Sequence, residues 1–282
     1  MMMRALRTGL TTFNGIMKYT IAILIAIVTL LPFYVMIYVA VNDPAIPLIN
    51  GVFRMPTFTF ENISTAWIRA DLGRALINSS IITAGGLAII VFFGASAGYV
   101  FARYPNKFNK FWFTVFLSCM MVPSIINTVP LYTIMRSIGG INQLWSMILL
   151  KSATRMPFCI FLYHAFVRSM TKEIEEAAII DGCTPFGAFW RISFPIIKPV
   201  TSTVIITSSL TFWNNYSQAI FFLQNRRSYT LPLAIASFYK EAGADWNLVC
   251  ASALLAVIPI VVMFLSLQKH FIKGFAAGAV KG

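Results

Sequence analysis

Three short stretches of this sequence hold polar residues of a type and spacing that could do chemistry. The longest, Thr171–Pro199, reads T-K-E-I-E-E-A-A-I-I-D-G-C-T-P-F-G-A-F-W-R-I-S-F-P-I-I-K-P. Glu173, Glu175 and Glu176 fall where the first turns of a helix favour negative charge, with Thr171 as the expected N-cap. Gly182 suits the left-handed position that stops a helix, Thr184-Pro185 restarts one, and Pro195 and Pro199 break the chain again. Ala177 and Ala178 leave the middle of the first helix almost bare, so a partner's surface can approach its backbone closely. The chemistry implied is docking. On these residues alone a purely structural hairpin is the alternative.

The second stretch is Lys151 and Arg155, one helical turn apart on one face and inside an apolar run. A charge at the centre of a bilayer costs about 2.5–3.5 kcal/mol, so these two are not expected to face lipid. They line a cavity, snorkel, or pair with another subunit. The third stretch, T-F-W-N-N-Y from Thr211 to Tyr216, sets two adjacent amides among aromatic rings. Amides bond hydroxyls and rings stack on C–H faces, which suits a sugar; hydrogen bonding between helices is the other reading.

Other chemistries are poorly represented. His164 and His270 have no carboxylate or cysteine at ligand spacing, so neither catalysis nor a metal is expected. Cys119, Cys159, Cys183 and Cys250 are scattered without paired spacing and read as structural thiols. No G-x-x-x-x-G-K-[ST] occurs, so ATP must be bound elsewhere if it drives anything.

The elements that position these stretches are dictated by composition. The chain is 58% hydrophobic and only 11% charged, with mean hydropathy +0.77, whereas an ordinary soluble domain is about 25% charged. A spanning helix needs about 20 apolar residues. Six stretches meet that need: about 19–41, 75–102, 111–135, 144–167, 200–223 and 248–267. None contains Asp or Glu, which speaks against an ion-coupled carrier built around a membrane carboxylate. The net charge of +13 is distributed unevenly between the two sets of connections. One face holds thirteen basic residues, Arg103, Lys107, Lys110, Arg168, Lys172, Arg191 and Lys198 among them; the other holds seven. Excess Lys and Arg mark the cytoplasmic side, so both termini and Thr171–Pro199 are expected there, and nucleic acid need not be invoked. The organisation expected is a cytoplasmic segment 1–18, a membrane domain 19–270 with the loop 171–199, and a frayed cytoplasmic tail 271–282.

Within the membrane domain, Gly94-xxx-Gly98 predicts close helix packing, and Pro123 and Pro130 predict a bent third span. Asn42–Gly73 is either an ordered external lid or a solvated connector. Beyond Tyr229 an apolar amphipathic run to Tyr239 reads on its own as a reentrant or interfacial helix.

Glu176-Ala177-Ala178, three residues, Gly182, nine residues, then Ile192-Ser193-Phe194-Pro195 resembles the EAA loop of bacterial ABC-importer membrane subunits, with Phe194 where the pattern has Leu. Asp181 and the ending F-I-K-G-F-A-A-G-A-V-K-G resemble the carbohydrate branch, in particular its smaller, maltose-type permease. The likeness runs from about Tyr19 to the end of the chain. It implies an all-α integral membrane protein of six transmembrane helices, the type I ABC-importer permease fold, importing a sugar or oligosaccharide across a bacterial cell membrane. It implies three partners: a second, homologous permease, a homo- or heterodimer of ABC ATPases, and an extracellular or periplasmic sugar-binding protein. ATP and Mg would sit on the ATPase, and no cofactor on this chain. Glu176, Ala177, Ala178, Asp181 and Gly182 would couple to the ATPase. Lys151, Arg155, Trp213, Asn214, Asn215 and Tyr216 would line the translocation path. The 213–216 stretch resembles the family's W-N-[DE]-F, from which Asn215 and Tyr216 depart. The family usually has small or neutral residues at 151 and 155, so this pair is read as attracting an acidic sugar. The loop 224–247 would reach toward the binding protein, and the tail toward the ATPase. A non-transporting membrane scaffold and an ion-coupled secondary carrier remain as readings from other classes.

Overall fold

A computed structural model of the chain describes residues 2–44, 57–123, 125–240 and 243–279, with side chains at 17–44, 57–123, 125–239, 244–266 and 268. In chain order, α1 (Met2–Val41), α2 (Glu61–Arg69) and α3 (Leu72–Arg103) are followed by α4 (Lys107–Cys119), α5 (Thr128–Ser137) and α6 (Leu144–Ser169). Then come α7 (Glu173–Ile180), α8 (Pro185–Ala188), a π-helical turn at Phe189–Ser193, α9 (Phe194–Ile196) and α10 (Lys198–Trp213). The last elements are α11 (Ala219–Phe222), a 3-10 turn at Arg226–Ser228, α12 (Leu231–Ala236), the two-residue pair β1 (Tyr239–Lys240) and β2 (Gly243–Ala244), and α13 (Trp246–Ala279). Three helical stretches among the described residues are continuous, long and apolar enough to cross a membrane: Met17–Val41, Leu72–Arg103 and Trp246–Ser266.

The chain forms two compact units, one of residues up to Ala70 with Phe238–Leu255, the other of Asp71–Ser237 with the chain from Ala256 on. In the first, the last residues of α1 are buried, and two amides satisfy carbonyls that a helix end leaves orphaned. Asn62 Nδ2 donates to the carbonyls of Ala40 and Asn42 at 3.0 and 2.7 Å, and Asn247 Nδ2 to those of Val39 and Asn42 at 3.0 and 3.1 Å. The expected external loop is therefore ordered where described, around α2. Pro47 and Pro56 lie outside the described residues.

In the second unit α3 packs most extensively on α6, as the glycines predict. A Cβ at Gly98 would stand 2.6 Å from Tyr163 Cβ and 3.0 Å from the backbone nitrogen of His164, so the two helix backbones touch there. Around this seam Tyr163, Val167, Phe189, Ile197 and Val204 form one buried cluster; Ile82, Met147, Leu150, Phe222 and Leu233 form another.

Several expectations are corrected. The third span is broken, not bent: α4 stops at Cys119 and α5 starts at Thr128, with Pro123 between. Pro130 lies in the first turn of α5, where the missing N–H has no intrahelical partner to lose. The fifth span ends as a helix at Trp213 and resumes only as the single turn α11, because Asn215 Oδ1 accepts from the Ala219 N–H at 3.2 Å and competes with the helical ladder. The run beyond Tyr229 buries Leu231, Leu233 and Ala234, as a reentrant segment would and an interfacial helix would not. It is tied to α3 through Asn78, whose amide donates to the carbonyls of Arg227 and Tyr229 at 3.0 and 2.9 Å, and through Ser79, whose hydroxyl accepts from the Leu231 N–H at 2.9 Å. The tail, expected frayed, is helical to Ala279 as the end of α13.

Candidate functional site

The hairpin 171–199 is built as its residues require, with one exception. Thr171 does not cap α7: the N-cap position is Lys172, and no side chain bonds there. A buried cluster sets the start of the helix instead. At the other end the Gly182 N–H bonds the Ile179 carbonyl at 3.0 Å and the Cys183 N–H bonds the Ala178 carbonyl at 2.9 Å. Those two bonds make a Schellman stop, and Gly182 adopts the positive φ of 90° that it needs. Thr184 Oγ1 then accepts from the Gly187 N–H at 3.1 Å with Pro185 at the first helical position, which opens α8 as predicted.

Beneath α7 lies the cluster the sequence reading missed. Glu175 is only 6% exposed. Its Oε2 accepts from Arg103 Nε at 2.9 Å and from the Tyr99 hydroxyl at 3.0 Å. Its Oε1 accepts from an Arg103 terminal nitrogen and from the Ser193 hydroxyl, both at 2.9 Å. The remaining Arg103 donors reach the carbonyls of Met170 and Thr171 at 3.1 and 3.4 Å. A buried ion pair is costly unless every lone pair and proton is used, and here each carboxylate oxygen has two donors. Removing one partner of such a pair costs about 3–5 kcal/mol. In the sequence Arg103 reads only as a loop charge. Its place at the end of an apolar span, one turn after Tyr99, was the available signal.

The five residues expected to couple to an ATPase divide by face. Glu176, Ala177, Asp181 and Gly182 are exposed, whereas Ala178 is buried against this chain's own interior and offers nothing to a partner. The expectation of two bare alanines is thereby reduced to Ala177. Around it stand exposed apolar side chains: Ile174, Ile179, Ile180 and Phe186. The outward surface is thus apolar with acidic residues beside it.

The membrane candidates are also divided. Lys151 is 4% exposed and its Nζ donates to Gln218 Oε1 at 2.7 Å, so it neither faces lipid nor snorkels. Arg155 is half-buried, donating through Nε to Ser208 Oγ at 3.2 Å with its guanidinium 4.0 Å above the Phe158 ring. Trp213 is buried, and its indole N–H bonds the Ala256 carbonyl at 3.1 Å. Asn215 is half-buried at the break after α10, whereas Asn214 and Tyr216 stand exposed there. The structure therefore brings Lys151 to the same break through Gln218 but turns Trp213 away from it. All four cysteines are free, and among the described residues no group of His, Cys, Asp or Glu is placed to hold a metal. His164 stacks on Phe113 at 4.1 Å; the His270 side chain lies outside the described residues.

Comparison with known proteins agrees with this architecture. Residues 90–276 match the family model described as binding-protein-dependent transport system inner membrane component. The chain is 40% identical over 263 residues to the melibiose/raffinose/stachyose import permease protein MelC of Bacillus subtilis, covering 93% of this chain and 95% of that one. It is 29% identical over 235 residues to the arabinooligosaccharides transport system permease protein AraQ of Halalkalibacterium halodurans, covering 83% and 84%. Its fold matches a chain in the crystal structure of a bacterial ABC transporter involved in the import of the acidic polysaccharide alginate, with TM-score 0.79 over 92% of this chain and 96% of that one at 18% identity. The fold is that of an ABC-importer permease, an all-α membrane protein. The chain belongs to the binding-protein-dependent transport system inner membrane components.

Proposed function

We propose that this chain is one of two homologous permease subunits of an ABC importer for a neutral oligosaccharide. The observation that carries the reading is the hairpin: a short helix with an apolar and acidic outer face, clamped to the membrane helices by a buried ion pair. ATP and Mg belong to a partner ATPase dimer, and the exposed face of α7 docks in a cleft of that dimer. When the dimer closes, the two permeases' hairpins move together, and the spans rock between inward- and outward-facing states. An extracellular or periplasmic binding protein delivers the sugar. The excess of Lys and Arg in the loops expected to share a side with the hairpin supports a cytoplasmic location for the hairpin and both termini, in a bacterial cell.

Two observations bear on the substrate class. Lys151 already has an internal acceptor, Gln218, and Arg155 is occupied by Ser208 and the Phe158 ring. These partners hold the two side chains but carry no negative charge, so the neutral assignment rests on the relatives and not on this pair. The relative with 40% identity is named for melibiose, raffinose and stachyose, which are uncharged. Exposed Asn214 and Tyr216, at the break after α10, are the residues assigned to hydroxyls and ring faces of the sugar.

The test is copurification of this subunit with its candidate partners, then ATPase and uptake assays in liposomes with and without the binding protein. A complex of two permeases and two ATPases, stimulated by binding protein loaded with a neutral galactosyl oligosaccharide, is expected. A chain that purifies alone and moves solute down an ion gradient would make it a secondary carrier. Uptake of uronic-acid oligosaccharides in preference to neutral ones would return the substrate assignment to Lys151 and Arg155.

A further inference from the structure

We propose that Glu175, Arg103, Tyr99 and Ser193 form the joint that makes the hairpin and α3 move as one body. These are positioning residues for coupling, distinct from the docking face, and the inference rests on the coupling reading given above. One carboxylate gathers four parts of the chain. Arg103 and Tyr99 come from the last turns of α3, and Ser193 from the π-helical turn leading towards α10. The linker after α6 is held to the same guanidinium through the Met170 and Thr171 carbonyls. The two limbs of the hairpin are thus bonded to each other, to the end of α3 and to the linker after α6 at a single point.

Three features make this a joint and not merely a stable contact. The Arg103–Glu175 pairing is bidentate, so it fixes orientation as well as distance. Arg103, Glu175 and Ser193 are 9%, 6% and 0% exposed, so a bond broken during motion is not readily replaced by one to solvent. Sliding the hairpin by even one bond length would leave a buried charge without its donors, so small displacements are resisted until α3 follows. The apolar contacts between the hairpin and α3, such as the Tyr99–Phe189 ring pair at 4.7 Å and the Phe92–Trp190 pair at 5.1 Å, have no comparable directionality. Because Glu175 is buried within this chain, it is not available to the ATPase, unlike its exposed neighbour Glu176.

The experiment uses the complete importer in liposomes, with ATP hydrolysis and sugar uptake measured on the same preparation. Glu175→Gln keeps the side chain's size and removes its charge. The ATPase should copurify as with the unmodified chain, and loaded binding protein should still stimulate hydrolysis. The sugar moved per ATP hydrolysed should fall about tenfold, within the range by which coupling networks are shifted by single substitutions. Tyr99→Phe and Ser193→Ala each delete one hydrogen bond and should lower the same ratio about twofold to threefold. They carry the test if Glu175→Gln does not assemble. An unchanged ratio of uptake to hydrolysis in the assembled variants overturns the joint. Failure of the unmodified chain to retain any ATPase overturns the coupling reading instead, so the two failures are separable. Glu176→Gln, on the outer face, should reduce ATPase retention without changing the ratio in the complexes that form; the reverse pattern would exchange the roles of the two glutamates and overturn the proposal.

Discussion

Glu175 and Glu176 are adjacent, yet one is buried and the other faces outward, because successive helical residues point about 100° apart. At the residue scale two glycines show how different physical reasons fix the same residue type. Gly182 has open space around it but a positive φ, so a Cβ there meets nothing and still strains the backbone. The left-handed conformation costs an ordinary residue about 1–2 kcal/mol, and Asn less than most. Substitution should therefore loosen the end of α7, with ATPase retention falling in the order Gly, Asn, Ala, Val while the amount inserted in the membrane stays constant. Copurified ATPase per permease measures this; a Val variant that retains ATPase normally would show that the stop is not needed for docking. Gly98 is the opposite case, ordinary in conformation but without space. Gly98→Ala should cost about 1–3 kcal/mol by overpacking against Tyr163 and be read as a lowered Tm of the detergent-solubilised protein. An unchanged Tm would mean that α3 and α6 separate there cheaply.

At the scale of elements, the broken helices decide what the membrane residues can do. Hydrophobicity alone marks 111–135 and 200–223 as spans, because an apolar run reads the same whether its backbone is continuous or interrupted. Pro123 predicts a bend, and the Asn214-Asn215 pair reads as a polar contact; neither shows where the ladder stops. The stop and restart at Gly182 and Thr184 were legible because capping is local chemistry. The Arg103–Glu175 pair was not, since a contact across 72 residues leaves no local trace in one sequence. Lys151 shows the same limit: its helix and face were readable, its partner Gln218 was not. That partner sits at the break after α10, so the Lys151–Gln218 bond staples α6 to the interrupted element. Gln218→Leu should cost about 1.5–3 kcal/mol by leaving a buried ammonium without its acceptor. Lys151→Met with Gln218→Leu should recover most of that loss, because an apolar pair of similar size has no charge to satisfy. Tm values for the two single variants and the double variant test the staple. Equal losses in Gln218→Leu and the double variant would mean that the ammonium has no dependence on Gln218.

For the whole molecule the remaining question is orientation, since the hairpin can meet an ATPase only from the cytoplasm. Thirteen basic residues share the hairpin's side against seven on the other, and acidic residues do not enter that rule, so the four carboxylates of the hairpin leave the assignment unchanged. The fold offers reporters on both sides. Asp181 is exposed at the tip of the hairpin, and Arg226 is exposed in the connection after α11. In a background with Cys119, Cys159, Cys183 and Cys250 replaced by Ser, Asp181→Cys should react with a membrane-impermeant maleimide only in inverted vesicles. Arg226→Cys should react only in right-side-out ones. The reverse pattern would place the hairpin outside the cell, where no ATPase could engage it, and would leave the buried Glu175–Arg103 joint with nothing to transmit.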